Sequence, residues 1–261
     1  MRSLSIAATG MLAQQLNVEV ISNNIANLNT TAFKSQRAEF QDLLYQNERN
    51  VGVNSSDTGT LVPVGVQIGT GVKAAAVYRV SVQGNLVNTN NALDLAIQGR
   101  GFWQIEMPDG STAYTRAGSF QLSSTGQIVT ADGYIVQPAI TLPQNTTNLT
   151  VNGTGQVLAQ VAGQVQPQNV GQFTLANFPN EAGLAAQGSN LLTETPASGA
   201  PVTGTPGSTA FGTIQQGFLE TSNVNVVSEI TNLISAQRAY EMNSKVIQTS
   251  DQMMSTLSQI Q

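Results

Sequence analysis

Carboxylates are the side chains of this sequence that could carry out acid–base chemistry. Cleavage of a glycosidic bond needs two carboxyl groups facing one cleft. The candidates are Glu106, Asp109 and Asp132, with Asp94 inside a strand pattern. Asp109 and Asp132 each precede a glycine in a turn pattern, where an aspartate commonly hydrogen-bonds its local backbone. A catalytic cleft therefore requires these carboxylates to converge, and local turn roles are the competing interpretation.

The rest of the composition excludes most other catalytic classes. The 261 residues contain no histidine and no cysteine, so Ser–His, Cys–His and zinc hydrolase sites cannot be built. The segments Gly69–Gly71 and Gly99–Gly101 are glycine-rich, but neither opens a helical pattern and no GxxxxGK[ST] string occurs. We interpret these glycines as turn residues, and we expect no enzyme activity, metal or cofactor.

The surface is sparsely charged and weakly acidic. The formal net charge is −5, and charged residues make up 10% of the chain, against about 25% in an ordinary domain. Nucleic-acid binding normally needs a basic excess, so we expect no nucleic acid partner. No apolar run reaches the roughly 20 residues that span a bilayer, and the N-terminal apolar stretch is too short for a cleaved signal. We therefore expect no direct membrane insertion.

Helical periodicity marks both ends of the chain. From Ser3 to about Leu28, apolar residues recur every seven positions, as in a coiled coil, and the same pattern runs from Val226 to the C-terminus, with Ser222 or Asn223 as expected N-cap. The first stripe comprises Leu4, Met11, Val18 and Ile25, flanked by Ala7, Ile21 and Leu28, and the second comprises Val226, Leu233, Tyr240, Ile247 and Met254. We predict that the two helices pair with each other or with copies from neighbouring chains.

Strand periodicity replaces the helical period between the two ends. Apolar residues alternate from Val72 to Val82 and from Leu93 to Ile97, and the segment Gly118–Pro138 has turn residues at Ser124-Thr125-Gly126 and Asp132-Gly133. The predicted fold is mainly β with α-helical termini: the terminal helices form a coiled coil, and an extended β/loop connection leads to a central antiparallel β domain.

We divide the chain into three regions on this pattern. Residues 1–30 with 225–261 form the helical domain, residues 31–75 with 205–224 form an extended β region that includes a long loop at 46–69, and residues 76–204 form the central β domain. The segments Gln46–Gly65 and Thr195–Ser208 are rich in turn-forming residues and are expected to be loops or linkers.

Three groups of motifs resemble the bacterial flagellar rod and hook proteins. ISNNIANLNTTAFK from Ile21 is similar to the N-terminal signature of that family, and ETSNVNVVSEITNLISAQRAYEMNSKVIQTSDQMM from Glu220 is similar to its closing helix. In the middle, LDLAIQGRGFWQI, AYTRAGSF and GQIVTADGYIVQP resemble its central β domain. Small departures are Ala32, Trp103 and Ala117, where the family often has glycine, phenylalanine and an acidic residue.

The resemblance implies a structural subunit rather than an enzyme. Family members form a homopolymer, a hollow helical rod whose inner tube is lined by the terminal helices and whose outside is the β domain; it transmits torque to the hook and forms part of the export channel. Implied partners are other copies of the chain, proximal rod and hook proteins at the two ends, the surrounding ring proteins and the flagellar export apparatus. The implied location is the flagellar basal body across the periplasm, reached without a cleaved signal peptide.

The resemblance and the heptad stripes together give a set of expected interface residues. Asn24 is expected to fix the register of helix packing, as a buried asparagine does in coiled coils. The full set is Leu4, Met11, Val18, Ile21, Asn24, Ile25, Asn27, Leu28, Phe33, Lys34, Val226, Leu233, Arg238, Tyr240, Glu241, Ile247 and Met254. By family analogy, a rod-stiffening segment includes Val51, Val53, Leu61, Val62 and Val64.

Two alternatives remain open from the sequence. One is another rod protein of the same family that belongs to the proximal rod. The other is a secreted β protein that binds or cleaves cell-wall glycan, which requires Glu106, Asp94 or Asp132 to meet at a groove.

Overall fold

The computed structural model describes residues 2–49, 64–164 and 166–260, and these residues form two compact units. The first unit draws on Met1–Ala26, Gln36–Tyr78 and Asn225–Gln261, and the second on Asn27–Ser35 and Arg79–Val224. The fold is mainly β with one helix at each end, which confirms the predicted class. The predicted division into three regions stays a prediction.

The first unit contains two long helices, α1 (Arg2–Ala26) and α2 (Val226–Ile260). They run antiparallel, because Ser250 Oγ donates a hydrogen bond to Ser3 Oγ at 3.4 Å while Gly10 lies seven residues further along α1, against Asn243 of α2. The approach at Gly10 is so close that a Cβ there would lie 3.0 Å from Asn243 Nδ2. The predicted pairing of the terminal helices is thus present within one chain.

The start of α2 is capped by a residue other than the two predicted. Asn225 Oδ1 accepts the backbone N–H of Ser228 at 3.2 Å, which satisfies one of the orphan donors of the first turn. The prediction of Ser222 or Asn223 was wrong because both precede the helix by too many residues to reach its N–H groups. Ser222 instead accepts the N–H of Val224 at 3.3 Å.

Four strands complete the first unit as narrow two-stranded ribbons. They are β1 (Gln36–Asp42), β2 (Tyr45–Arg49), β3 (Val66–Gly69) and β4 (Val72–Arg79), and they pair as β1 with β4 and β2 with β3. The alternation of apolar residues from Val72 onwards predicts a strand with one buried face, yet Ala74 and Ala76 on that face are exposed, as is most of β4. A two-stranded ribbon has no second layer to cover its apolar face.

The second unit contains the remaining strands, which form one large sheet and several small ones. The strands are β5 (Leu86–Asn88), β6 (Leu95–Gln98), β7 (Trp103–Glu106), β8 (Thr112–Thr115), β9 (Gln121–Leu122), β10 (Ile128–Val129), β11 (Ile135–Gln137), β12 (Thr146–Val151), β13 (Gln156–Val161), β14 (Gln168–Gln172), β15 (Leu175–Asn177), β16 (Ala185–Gly188), β17 (Leu191–Thr193), β18 (Val202–Gly204), β19 (Thr213–Gln216) and β20 (Phe218–Glu220). The large sheet has the order β16-β17-β8-β7-β11-β10-β9, the second has the order β12-β13-β14, and three further pairs are β15 with β18, β19 with β6 and β20 with β5.

The predicted meander is confirmed, with its turns at the expected glycines. Gly126 and Gly133 have φ values of 79° and 86°, in the left-handed region that glycine enters without a Cβ clash. By contrast, the alternation around Leu95 and Ile97 predicts one buried face, whereas Leu95, Ala96 and Ile97 are all at most 1% exposed. β6 is therefore covered on both faces.

The core of the second unit is built around Trp103. Its ring meets Phe120 and Phe173 edge to face, each at a centroid distance of 5.3 Å, and the indole is fully buried. The Pro- and Gly-rich segment Thr195–Ser208 also belongs to this packed unit, since it contains β18 and the fully buried Ser198, whose Oγ donates to the carbonyl of Thr195 at 2.8 Å. Apart from β18, the segment has neither helix nor strand, so of the two expectations, loop or linker, it is a loop that packs within the unit.

Neither helix, over the part of the chain that the structure describes, has both the length and the apolar character needed to cross a bilayer.

Candidate functional site

A buried ion-pair cluster joins distant segments of the second unit. Glu220, at the end of β20, accepts hydrogen bonds from Lys34 Nζ at 2.5 Å and from Arg116 Nε at 2.9 Å. Its side chain is 1% exposed, and those of Lys34 and Arg116 are 12% and 9% exposed. We call these three residues the Glu220 cluster.

Backbone groups complete the hydrogen bonding of the Glu220 cluster. The N–H of Gly84 donates to Glu220 Oε1 at 2.9 Å, and Lys34 Nζ also donates to the carbonyl of Val82 at 2.9 Å. Arg116 donates to the carbonyls of Gly101 at 2.9 Å and Ile97 at 3.2 Å. Because a buried charge is costly unless it is paired and hydrogen-bonded, this arrangement holds these chain segments in one geometry.

The electrostatics keep Glu220 ionised. Burial by itself raises the pKa of its carboxyl, but the attraction of Arg116 and Lys34, together with the hydrogen bonds from Lys34 and Gly84, outweighs burial and holds the pKa below its usual range. Glu220 therefore stays a carboxylate at neutral pH. Burial lowers the pKa of Lys34, and the attraction of Glu220 and its hydrogen bond oppose that shift.

The loop that follows α1 is fastened beside this cluster. Asn223 Oδ1 accepts the N–H of Ser35 at 2.7 Å, and its Nδ2 donates to the carbonyls of Val80 and Val82, each at 2.9 Å. The N–H of Ala32 donates to the carbonyl of Glu220 at 2.8 Å. One asparagine thus ties the N-terminal loop to two backbone carbonyls of the β domain.

Ala32 adopts an uncommon backbone conformation in this loop. Its φ is +57°, in the left-handed region where a Cβ clashes with the backbone and glycine is favoured. This agrees with the departure noted in the sequence, where the similar family often has glycine.

Asn24 has a definite partner within the chain. It is 2% exposed; its Nδ2 donates to the carbonyl of Gln36 at 2.9 Å, and its Oδ1 accepts the N–H of Gln36 at 2.8 Å. Both ends of the amide are therefore used to fasten the beginning of β1 to the end of α1. A role in the register between chains remains a prediction.

The other expected interface residues of α1 and its following loop are half-buried or buried. Ile21 is 4% exposed, and Thr30 Oγ1 donates to Asn27 Oδ1 at 3.1 Å. The half-buried members are Leu4, Met11, Val18, Ile25, Asn27, Leu28, Phe33 and Lys34. The most buried apolar positions of α1 are instead Ala7, Ala13, Val20 and Ile21, so the predicted stripe at intervals of seven from Leu4 lies partly outside the contact with the rest of the chain.

The expected interface residues of α2 divide between its inner and outer faces. Val226, Leu233 and Ile247 are half-buried, and Ala236 is 2% exposed. Arg238, Tyr240, Glu241 and Met254 are exposed. No expected interface residue of α2 is fully enclosed by its own chain, so all of them retain surface for a further contact.

The rod-stiffening prediction falls mostly outside the described residues. Val51, Val53, Leu61 and Val62 lie in 50–63, which the structure does not describe. Val64 is 72% exposed.

The candidate catalytic carboxylates make local contacts. Asp94 accepts hydrogen bonds from Thr89 Oγ1 at 2.6 Å and Asn91 Nδ2 at 3.0 Å. Asp109 accepts the N–H and the hydroxyl of Ser111 at 2.9 and 2.6 Å, and the side-chain bond, followed by the backbone bond, holds the pKa of Asp109 below its usual range. Asp132 is exposed in the turn between β10 and β11. The contacts of Asp109 match the turn role that the sequence offered as the competing interpretation, whereas Asp94 is buried, at 7% exposed.

Glu106 is the remaining carboxylate, exposed at the end of β7. It accepts a hydrogen bond from Gln137 Nε2 at 3.2 Å. Within the described residues, no three acidic side chains are grouped closely enough to hold a metal ion.

Sequence reasoning selected Lys34 and missed its partners. Glu220 and Arg116 lie within the family-like strings with no role predicted for them, and Asn223 is expected there only as a helix cap. The sequence contains a partial signal, because two of these three residues are charged in a chain that has only 10% charged residues, and charged residues that are buried are almost always paired.

Three family profiles match the segments that build these features. A profile described as flagella basal body rod protein matches residues 4–34, one described as flagellar hook protein FlgE/F/G D1 domain matches residues 96–159, and one described as flagellar basal body rod FlgEFG protein C-terminal matches residues 215–260. The helical ends and the β domain thus define a protein of the flagellar rod and hook class.

Full-length relatives narrow the class further. A flagellar basal-body rod protein FlgG of Caulobacter vibrioides is 60% identical over 260 residues, covering 100% of this chain and 99% of the relative. FlgG proteins of Agrobacterium fabrum and Bacillus subtilis are 55% and 38% identical, and each alignment covers at least 98% of both chains. The chain belongs to the flagellar basal-body rod protein FlgG family, which confirms the resemblance seen in the sequence.

Proposed function

We propose that this protein is the distal rod subunit of the flagellar basal body and polymerises into a hollow helical shaft. The terminal helices line the inner tube and the β domain faces outwards. The shaft transmits torque from motor to hook, forms part of the export channel, and acts mechanically rather than as an enzyme. Its neighbours are copies of itself, proximal rod and hook proteins at its ends, the ring proteins around it and the export apparatus that delivers it.

The observation that carries the proposal is the apolar surface of α2. Along the first half of the helix, Val227, Ile230 and Ile234 each follow a half-buried position by one residue and are 76%, 45% and 45% exposed. Along the second half, Met242 and Val246 each precede a half-buried position and are 64% and 45% exposed. One residue is a rotation of about 100° on a helix, so apolar side chains lie on both flanks of the face that meets α1.

Such a surface is explained by contacts with neighbouring subunits. A sustained exposed apolar patch on a soluble chain commonly marks an interaction site. Each large apolar side chain removed from water contributes about 1.5–3 kcal/mol, less the entropy lost on association. Two flanks allow one helix to touch two neighbours, which is what a tube of helices requires.

Electron microscopy over a range of protein concentrations tests this proposal. We expect straight hollow tubes from the full chain, and monomers from a variant that lacks residues 226–261. A finer variant, Val227→Gln with Met242→Gln, keeps the helix and removes the two most exposed of these side chains. We expect it to raise the critical concentration for assembly at least tenfold.

The matched control alters exposed apolar residues of the β domain. Leu122→Gln with Val202→Gln changes side chains that are 48% and 59% exposed, and we expect its critical concentration to stay within twofold of the unmodified chain. The proposal would be contradicted if Val227→Gln with Met242→Gln had the same critical concentration as the unmodified chain. Monomers from the full chain at every concentration would contradict it as well.

The segment from residue 46 to residue 69 is proposed to wedge between neighbouring subunits and stiffen the rod. What supports this role is family analogy and the exposed apolar side chains of Val64 and Val66 within it, which are 72% and 44% exposed. Deletion of Val51–Val62 should shorten the persistence length of the tubes in electron micrographs. Tubes of unchanged stiffness would count against the role.

A further inference from the structure

One end of the large sheet in the second unit carries exposed carboxylates. Glu106 ends β7, Asp109 lies in the turn between β7 and β8, and Asp132 lies in the turn between β10 and β11. Because Glu106 pairs with Ile135, the first residue of β11, the two turns lie at the same end of the sheet. We call these three residues the acidic edge.

The acidic edge has no cation to balance it. All three side chains belong to exposed residues, and none of them forms an ion pair within the part of the chain that is described. The hydrogen bonds from Ser111 hold the pKa of Asp109 below its usual range, so this carboxylate is charged at neutral pH.

The opposite end of the same hairpin is basic. Arg100 lies just before β7, and Arg116 directly follows β8. Arg100 and Arg116 line a cleft of about 640 Å³ together with Gln83, Asn180 and Glu181. We call it the basic cleft. Strands of four residues are about 13 Å long, so the hairpin separates the two charged ends by at least that distance.

The charges around the basic cleft do not cancel. Arg100 is paired with Glu181 at 2.9 Å, but Lys34 and Arg116 share the single carboxylate of Glu220. By formal charge, the cluster thus contains two cations and one carboxylate, and its side chains are at most 12% exposed. An excess buried charge is costly, and an anion entering the cleft beside Arg116 would reduce that cost.

We propose that the basic cleft receives the acidic edge of a second copy of this chain, so that outer β domains contact each other head to tail. The inference rests on the proposed polymerisation and adds to it the partner surfaces of the β domain. A contact between two different surfaces of the same molecule repeats without closing when the subunits follow a helix, as they do in a rod. The two surfaces also carry opposite charge, which favours this register over like-charged ones.

Neutralising each surface separately tests the contact. Asp109→Asn with Asp132→Asn removes two charges from the acidic edge, and asparagine tolerates both turns. Arg100→Gln removes the exposed charge of the basic cleft, where the side chain is 61% exposed. In roughly 50 mM salt, we expect each variant to raise the critical concentration for assembly of the full chain about fivefold to tenfold. In about 0.5 M salt, screening should bring the critical concentration of each variant within twofold of that of the unmodified chain.

Matched controls separate this contact from the effect of net charge. Ser124→Lys with Thr125→Lys adds two positive charges in the turn between β9 and β10, at the other end of the sheet, and so matches the net charge of the acidic-edge variant. Arg37→Gln on β1 matches the loss of one positive charge. Neither control should change the critical concentration more than twofold.

Combining the two changes provides the decisive comparison. The triple variant carries Asp109→Asn, Asp132→Asn and Arg100→Gln. If both surfaces belong to one contact, its critical concentration should be no higher than that of whichever parent variant assembles less readily. If the increases in critical concentration multiply in the triple variant, the inference is overturned. It is also overturned if the unmodified chain forms tubes in low salt and the acidic-edge and Arg100→Gln variants have the same critical concentration as that chain. An unmodified chain that stays monomeric would overturn the proposed function and this inference with it.

Discussion

Lys34 Nζ and Glu220 Oε1 lie 2.5 Å apart although 186 positions separate them in the sequence. Arg116 reaches the other oxygen of the same carboxylate. This small buried set of charges fixes the N-terminal loop, the start of the β domain and the strand that leads to α2 to one another. Its contribution to stability can be measured directly.

Glu220→Gln should destabilise the chain by about 2–4 kcal/mol, because it leaves two buried cations without a counter-charge. Chemical denaturation followed by circular dichroism measures the change. Glu181→Gln is the control, since its pair with Arg100 has side chains that are 16% and 61% exposed, and a pair with a solvated partner contributes less than a buried one. Similar decreases in the free energy of unfolding in the two variants would show that the buried cluster stabilises the chain no more than the Arg100–Glu181 pair does.

Acid should weaken the chain through the same carboxylate. The pKa of Glu220 is lower in the folded chain than its ordinary value, so its stabilising effect is fully present above the ordinary pKa and is lost as the pH falls through the folded value. We expect the stability difference between the unmodified chain and Glu220→Gln to shrink from about pH 5 downwards, by at most about 1.4 kcal/mol per pH unit. Denaturation at several pH values tests this, and a difference independent of pH would contradict it.

Ala32→Gly should stabilise the chain by about 0.5–1 kcal/mol. The left-handed conformation at φ +57° costs a non-glycine residue about 1–2 kcal/mol, and glycine removes this cost. Part of the stabilisation is offset because glycine has more conformational freedom in the unfolded chain. Ala185→Gly is the control, because Ala185 is an exposed strand residue where glycine should be neutral or destabilising. The midpoint of thermal unfolding distinguishes the two, and a loss of stability in Ala32→Gly would refute the expectation.

Asn24→Leu should destabilise the free subunit by about 2–4 kcal/mol. The substitution leaves the N–H and the carbonyl of Gln36 without their partner, and unsatisfied buried polar groups cost about 1–3 kcal/mol each. Asn29→Ala, at an exposed position, should change stability by less than about 0.5 kcal/mol. A stable Asn24→Leu subunit with altered tube geometry would instead favour a role in register between chains.

Trp103→Phe should cost less than about 1.5 kcal/mol despite full burial of the indole. Among the described residues, Trp103 Nε1 has no hydrogen-bond partner, so phenylalanine removes an unsatisfied donor while it leaves a small cavity. Phe120→Leu, which alters the same aromatic contact and keeps the donor, should cost more. Equal costs in denaturation experiments would indicate that the indole N–H is satisfied in solution.

Local patterns predicted the elements well because they depend on near neighbours. The heptad patterns predicted both helices, and the Asp132-Gly133 pair predicted a hairpin turn, since each of these signals depends on residues close to one another in the sequence. Other features depend on strands that are distant in the sequence, and a local pattern does not predict them. These features are the burial of β6 on both faces and the packing of the segment around Ser198.

The same limit explains which part of the candidate site was missed. Lys34 lies in a recognisable motif, whereas its partner Glu220 is defined only by the tertiary fold. The exposed flanks of α2 follow from which side of the helix α1 covers, and a heptad pattern alone does not specify that.

The Glu220 cluster also sets an order of events for a chain that emerges from its N-terminus. Lys34 appears early, and its counter-charge is separated from it by 186 positions; closing so long a loop must precede any gain from the contact. The ion pair therefore cannot fasten the N-terminal loop until the chain has been made as far as Glu220, which comes after the strands β1 to β19.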